Sequence, residues 1–144
     1  MADSNGTPPS RTLPGWALPA FQWLTVVNAV LIVLQAFLAG EGVFGGERGL
    51  VTGHGHLGNA VFALVVIQGV LAFMLAQRGM LSRAGMMLAG VVILLVFAQI
   101  GLGYSTRNNI KITAYHMANG VLLMGTLAAL AAIAWTRPAS RTGR

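Results

Sequence analysis

Four stretches of the chain, about 20–39, 55–76, 84–104 and 113–135, are apolar almost from end to end, and polar residues collect between and outside them. At ~1.5 Å per helical residue, each is long enough to cross the ~30 Å hydrocarbon layer of a bilayer. No charge interrupts the first, second or fourth stretch, and Arg83 stands only at the edge of the third. The pattern predicts an all-α integral membrane domain over 20–136, with a flexible tail at 1–19 and a short basic tail at 137–144. The first stretch reads as a lasting helix and not a cleaved signal, because it exceeds a typical signal core and lacks a small-x-small cleavage site. The connection from Gln77 to Ser82 demands antiparallel neighbours, so the economical topology is an up-down four-helix bundle.

Two polar-bearing segments repeat one another: His56-Leu57-Gly58-Asn59-Ala60-Val61 and His116-Met117-Ala118-Asn119-Gly120-Val121. Each follows a Gln-x-x-Leu segment that closes the preceding apolar run, Gln35-Ala36-Phe37-Leu38 and Gln99-Ile100-Gly101-Leu102. The bundle therefore reads as two repeated helical hairpins. In that arrangement the second and fourth helices lie diagonally, and His56 and His116 sit at matching depth on either side of a pseudo-twofold axis.

Composition supports the membrane assignment. With 56% hydrophobic and 8% charged residues and a mean hydropathy of +0.73, the chain has too little polar surface to cover a water-soluble globule of its size. The absence of cysteine excludes disulfides, thiolate ligands, iron–sulfur clusters and thioether-linked heme. A net charge of +6 is compatible with nucleic acid, but the basic residues are scattered over tails and loops and form no patch. Membrane topology explains them better: Arg11, Arg78, Arg83, Arg137, Arg141 and Arg144 fall on the side of the termini. Arg48, Arg107 and Lys111 fall on the other, offset by Glu41 and Glu47. The positive-inside rule then places both termini in the cytoplasm of a prokaryotic-type plasma membrane and the histidines near the outer face.

An ionisable residue within a membrane helix marks a functional site by default. Two imidazoles suffice for the axial positions of a heme iron, whereas zinc asks for three or four protein ligands and no further set is available in the bundle. His54 competes with His56, since residues two apart on a helix point about 200° apart and only one faces the bundle centre. The repeat selects His56 as the metal ligand and leaves His54 to a loop, interfacial or proton-handling role. Asn59 and Asn119 lie one turn beyond the histidines, placed to orient an imidazole or to bond between helices. Gln35 and Gln99 read as interhelical glue or as contacts to a cofactor or quinone. Arg48, Arg107 and Lys111 read as cations for heme propionates, or as residues that bind lipid phosphates and set topology. Glu41 and Glu47 read as solvated loop charges.

The Gln99-Ile100-Gly101-Leu102-Gly103 segment, followed by a polar basic loop and by His116 at the start of a helix ending in Trp135, resembles the end of a half module in the heme A synthase superfamily. The hairpin containing Gln35 and His56 is similar to its beginning. The resemblance covers roughly 20–136 and implies one heme between the histidines of the second and fourth helices, here His56 and His116. The synthase's Glu-x-x-His-Arg arrangement is missing, with Gly53 three before His56 and Leu57 after it. The extracytoplasmic cysteine pair and the second module are missing too, so synthase activity is not expected.

The leading expectation is a bis-histidine, b-type cytochrome-like protein with one non-covalent heme b, serving electron transfer or heme handling. Its candidate partners are the lipid bilayer, a redox partner, a quinone, a larger membrane complex or a second copy of the chain, and not nucleic acid. The alternative is a heme-free accessory subunit of a larger membrane complex. A small carrier or channel is disfavoured, because nothing resembles a selectivity ring or a broken substrate-binding helix.

Overall fold

The computed structural model describes residues 13–106 and 109–136, which form four long α-helices: α1 (Ala17–Phe44), α2 (Arg48–Gln77), α3 (Arg83–Thr106) and α4 (Lys111–Trp135). Arg11, Arg107, Arg137, Arg141, Arg144 and most of both tails lie outside the described residues. All four helices are long and apolar enough to cross a membrane.

The helices are stopped by local chemistry. Gly45 returns its N–H to Glu41 O, and Gly46 turns the chain at φ +75. At the end of α2, the N–H groups of Gly79 and Met80 bond Ala76 O and Leu75 O, and Gly79 takes φ +68, the left-handed stop of a Schellman motif. The Ser82 hydroxyl then accepts the Gly85 N–H and caps α3. Asn109 Oδ1 accepts the Lys111 N–H where α4 begins.

Two boundaries differ from the sequence reading. The first helix starts at Ala17, and the connection between the first two apolar runs shrinks to Gly45–Glu47, because Gly40, Gly42, Gly49 and Gly53 are all helical. Gly42 shows one reason: a Cβ there would come within 2.8 Å of Val51 N and Val51 Cγ2. It is a close-packing contact between α1 and α2, not a loop residue.

Each helix packs on two neighbours in the order α1, α2, α3, α4 and back to α1, so α1–α3 and α2–α4 are the diagonals. At the end opposite the histidines, Gln22 Nε2 donates to Ala134 O over 2.9 Å, and the Trp23 and Trp135 rings meet edge to face. Large apolar side chains such as Phe37, Phe73, Leu94, Phe97 and Val121 point outward. The bundle thus wears its apolar residues on the outside, as a lipid-facing surface does.

Burial reveals the internal repeat. Phe21, Thr25 and Asn28 of α1 hold the positions that Gly85, Ala89 and Val92 hold on α3, and Gln35 stands where Gln99 does. Val61, Val65, Gln68 and Ala72 of α2 likewise match Leu123, Leu127, Leu130 and Ala134 of α4. The hairpins share their packing pattern but not their polarity. Asn28 and Gln68, 0% and 1% exposed, bond each other by Nδ2–H to Oε1 over 2.6 Å, where the second hairpin has Val92 and Leu130.

This pair yields a prediction. Gln68→Leu alone strands the Asn28 amide and should cost about 1–3 kcal/mol, the range for a buried polar group losing its partner. Adding Asn28→Val gives the site the apolar pairing of the other hairpin and should restore stability. Thermal unfolding in detergent, followed by circular dichroism, compares the single and double variants.

Candidate functional site

Near the Gly45–Glu47 end of the bundle, α2 and α4 each present one histidine across the diagonal. These are His54 and His116, whose ring centroids lie 6.1 Å apart at an interplanar angle of 75°. His56 points away from the bundle, exposed, as does Asn59. Because α2 begins at Arg48, His54 lies in its second turn and is not a loop residue. The geometric expectation holds that only one of two histidines two residues apart faces inward, but the inward one is His54.

The reason lies in the connection lengths. Gln35 and His54 are 19 residues apart in sequence, while Gln99 and His116 are 17 apart. Aligning the hairpins on the His-x-x-Asn resemblance therefore slips α2 by two residues against α4, which turns the selected residue to the opposite face. The contacts give the correct register. His54 Nδ1 lies 3.0 Å from Gln35 O, and His116 Nδ1 lies 3.1 Å from Gln99 O. A Cβ on Gly58 would meet Gln35 Nε2 at 3.2 Å, and one on Gly120 would meet Gln99 Nε2 at 3.3 Å. His54 with Gly58 is thus the structural counterpart of His116 with Gly120, a glycine match visible in the sequence and overridden there by the asparagines.

A carbonyl oxygen can only accept, so in each pair Nδ1 carries a proton, which leaves Nε2 as the nitrogen of the neutral ring that would hold a lone pair. That is the tautomer a metal-binding imidazole needs, held by the carbonyl contact that commonly orients such rings. His116 Nε2 accepts from Gln99 Nε2 over 3.2 Å. Asn119 Nδ2 in turn donates to Gln99 Oε1 over 2.6 Å and to Leu95 O over 2.9 Å. Gly103 backs the His116 ring so closely that a Cβ would stand 3.1 Å from Cε1.

The remaining expected site residues divide. Gln35, Gln99 and Asn119 join the histidines, and Asn59 does not. The Leu57 side chain occupies the position of Asn119 in the first hairpin, and Gln35 Oε1 is left buried without a partner. Arg48 and Lys111 stand exposed at the starts of α2 and α4, on the histidine side of the bundle, while Arg107 lies outside the described residues. Glu41 and Glu47 are exposed at the same end. Among the described residues no three His, Cys, Asp or Glu side chains gather into a cluster, so a bare ion would find only the two imidazoles. Compared with known proteins, the chain matches no family model, no curated protein and no solved structure.

The tautomer is directly measurable. In cofactor-free protein carrying 15N-labelled histidine, His54 and His116 should both give the shifts of an Nδ1–H ring. Replacing His54 and His116 singly assigns the signals.

Proposed function

We propose that the chain is a membrane cytochrome b-like protein that holds one non-covalent heme b between His54 and His116, for electron transfer or heme handling. The observation that supports this most is the equivalent anchoring of two imidazoles across the α2–α4 diagonal, each by Nδ1 to a glutamine carbonyl. With their ring centroids 6.1 Å apart, His54 and His116 are close enough that both would hold one heme iron.

The donor set favours heme over a bare ion, since heme supplies four equatorial nitrogens and asks the protein for only the axial pair. When bound, heme iron accepts and gives up one electron. The chain's own residues supply the rest. Gln35 O and Gln99 O fix the ring rotation and raise the basicity of each Nε2. Gln99 Nε2, now on His116 Nε2, would have to release that lone pair to a metal, and Asn119 would hold the glutamine by Oε1. Arg48 and Lys111 are placed to meet propionates leaving at the same face, with Arg107 as a third candidate by sequence.

The sequence resemblance to a half module of the heme A synthase superfamily points the same way. With His54 as ligand, the residue three before it is Val51 and the one after is Gly55. The synthase's Glu-x-x-His-Arg arrangement is therefore missing in this register as well, and the proposed role stays with electron transfer or heme handling.

Protein expressed with ample heme should show a Soret band and the sharp reduced α and β bands of a low-spin b-type site. His54→Ala and His116→Ala should each lose heme or turn it high-spin, while His56→Ala should keep the low-spin spectrum. Recovery of colourless protein that takes up no added heme refutes the proposal and leaves the accessory-subunit reading.

The proposed orientation, with termini in the cytoplasm, rests on the positive-inside rule and on Arg78 and Arg83 flanking the α2–α3 turn. In this cysteine-free chain, Glu47→Cys should label from outside intact cells, and Ser82→Cys only after permeabilisation. The reverse pattern moves the site to the cytoplasmic face.

A further inference from the structure

The two halves of the site are held unequally. Beside His116, Asn119 ties α4 to α3 twice, at Leu95 O and at Gln99 Oε1, and the ring rests on Gly103. Beside His54, among the described residues, the ring is bonded from Nδ1 to Gln35 O. Its neighbouring glutamine is unbraced there, with Gln35 Oε1 finding no partner among the described residues and Leu57 standing where α4 has Asn119.

The backbone carrying the two histidines differs in the same sense. The first turns of α2 contain Gly49, Gly53, Gly55 and Gly58, whereas the matching part of α4, from Lys111 to Gly120, contains Gly120 alone. A Cβ on Gly49, Gly53 or Gly55 would meet nothing within 4 Å. Close packing therefore does not require these glycines, and they weaken the helix around His54 through backbone entropy alone. Helix ends with few supporting contacts open locally at low cost.

On the reading that this pair ligates heme iron, we propose that His54 is the displaceable ligand, so that the site takes up a neutral diatomic ligand of the carbon monoxide class on the α2 side. His116 stays bound throughout. The step is a ligand exchange on reduced iron: the bond from His54 Nε2 breaks as the bond to carbon monoxide forms, and His54 keeps its lone pair and its Nδ1 proton. No electron changes hands.

The test uses the full-length, heme-loaded protein in detergent, reduced with dithionite, mixed with carbon monoxide and followed in the Soret region by stopped flow. The expected result is a spectral shift that is reversed by light, at a rate limited by His54 release. Leu57→Asn, which gives the first hairpin the brace of the second, should slow that rate about five- to tenfold, the effect of adding a hydrogen bond that must break first. Gly53→Ala with Gly55→Ala should slow it too, and the high-spin, heme-retaining fraction of His54→Ala should bind faster than the unmodified protein. A red, low-spin protein whose reduced spectrum ignores carbon monoxide overturns this inference while leaving the heme site standing. So does a Leu57→Asn variant that takes up heme and binds carbon monoxide at the unmodified rate. A protein that takes up no heme fails at the earlier step, and both proposals fall together.

Discussion

Inside a bundle whose outer surface faces lipid, a polar side chain has no water to fall back on and must find its partner on a neighbouring helix. Several polar side chains between the helices here bond across a hairpin. Asn28 reaches Gln68, His54 reaches Gln35, His116 reaches Gln99, and Asn119 reaches Gln99 and Leu95. Apolar packing alone would let helices slide or rotate against each other at small cost, because lipid tails solvate leucine as well as protein does. The polar pairs set the register. They hold α1 to α2 and α3 to α4 so that one imidazole from each hairpin meets the other on the diagonal.

The two hairpins show what one scaffold can carry. Their buried positions coincide, yet the first places two amides, bonded to each other, where the second places Val92 and Leu130. At the histidine level the contrast reverses: Asn119 braces the second hairpin, while Gln35 Oε1 in the first finds no partner among the described residues, as Asn28 Oδ1 and Gln68 Nε2 do not. A symmetric pair of ring anchors therefore stands on asymmetrically supported helices, and any chemistry at the shared point between them meets one firm side and one yielding side.

The fold was legible because its signal is coarse: four uninterrupted apolar runs and one short turn leave little freedom of topology. The helix ends were less so, since Gly40, Gly42, Gly49 and Gly53 suggest a loop by composition, and only the approach of Val51 to Gly42 shows that a glycine can serve packing instead. Within the site, Gln35, Gln99, His116 and Asn119 were legible from the repeat. His54 was not, because residue likeness and helical phase disagree there. The asparagines favour pairing His56 with His116, whereas the glycines at 58 and 120 and the buried positions from Val61 and Leu123 onward favour His54. Phase has the stronger physical claim, since a shift of two residues turns a side chain to the far side of its helix. A chance asparagine costs nothing on an exposed face, where Asn59 lies.

The depth of the site follows from the same economy. Asn28 and Gln68 bond each other within the closely packed part of the bundle, leaving Asn28 Oδ1 and Gln68 Nε2 unpartnered among the described residues, whereas the histidine pair stands nearer the helix starts. His54 and His116 lie within the first two turns of α2 and α4, so their carbonyl partners are buried enough to hold the rings while the cationic ends of both helices stay exposed beside them. Placing the pair two turns deeper would bring it level with Val61 and Leu123, where the helices are closely packed and the side chains fully buried. Near the helix starts, Gly58 and Gly120 instead leave room for the glutamine side chains that lie against them, one turn inward of the histidines.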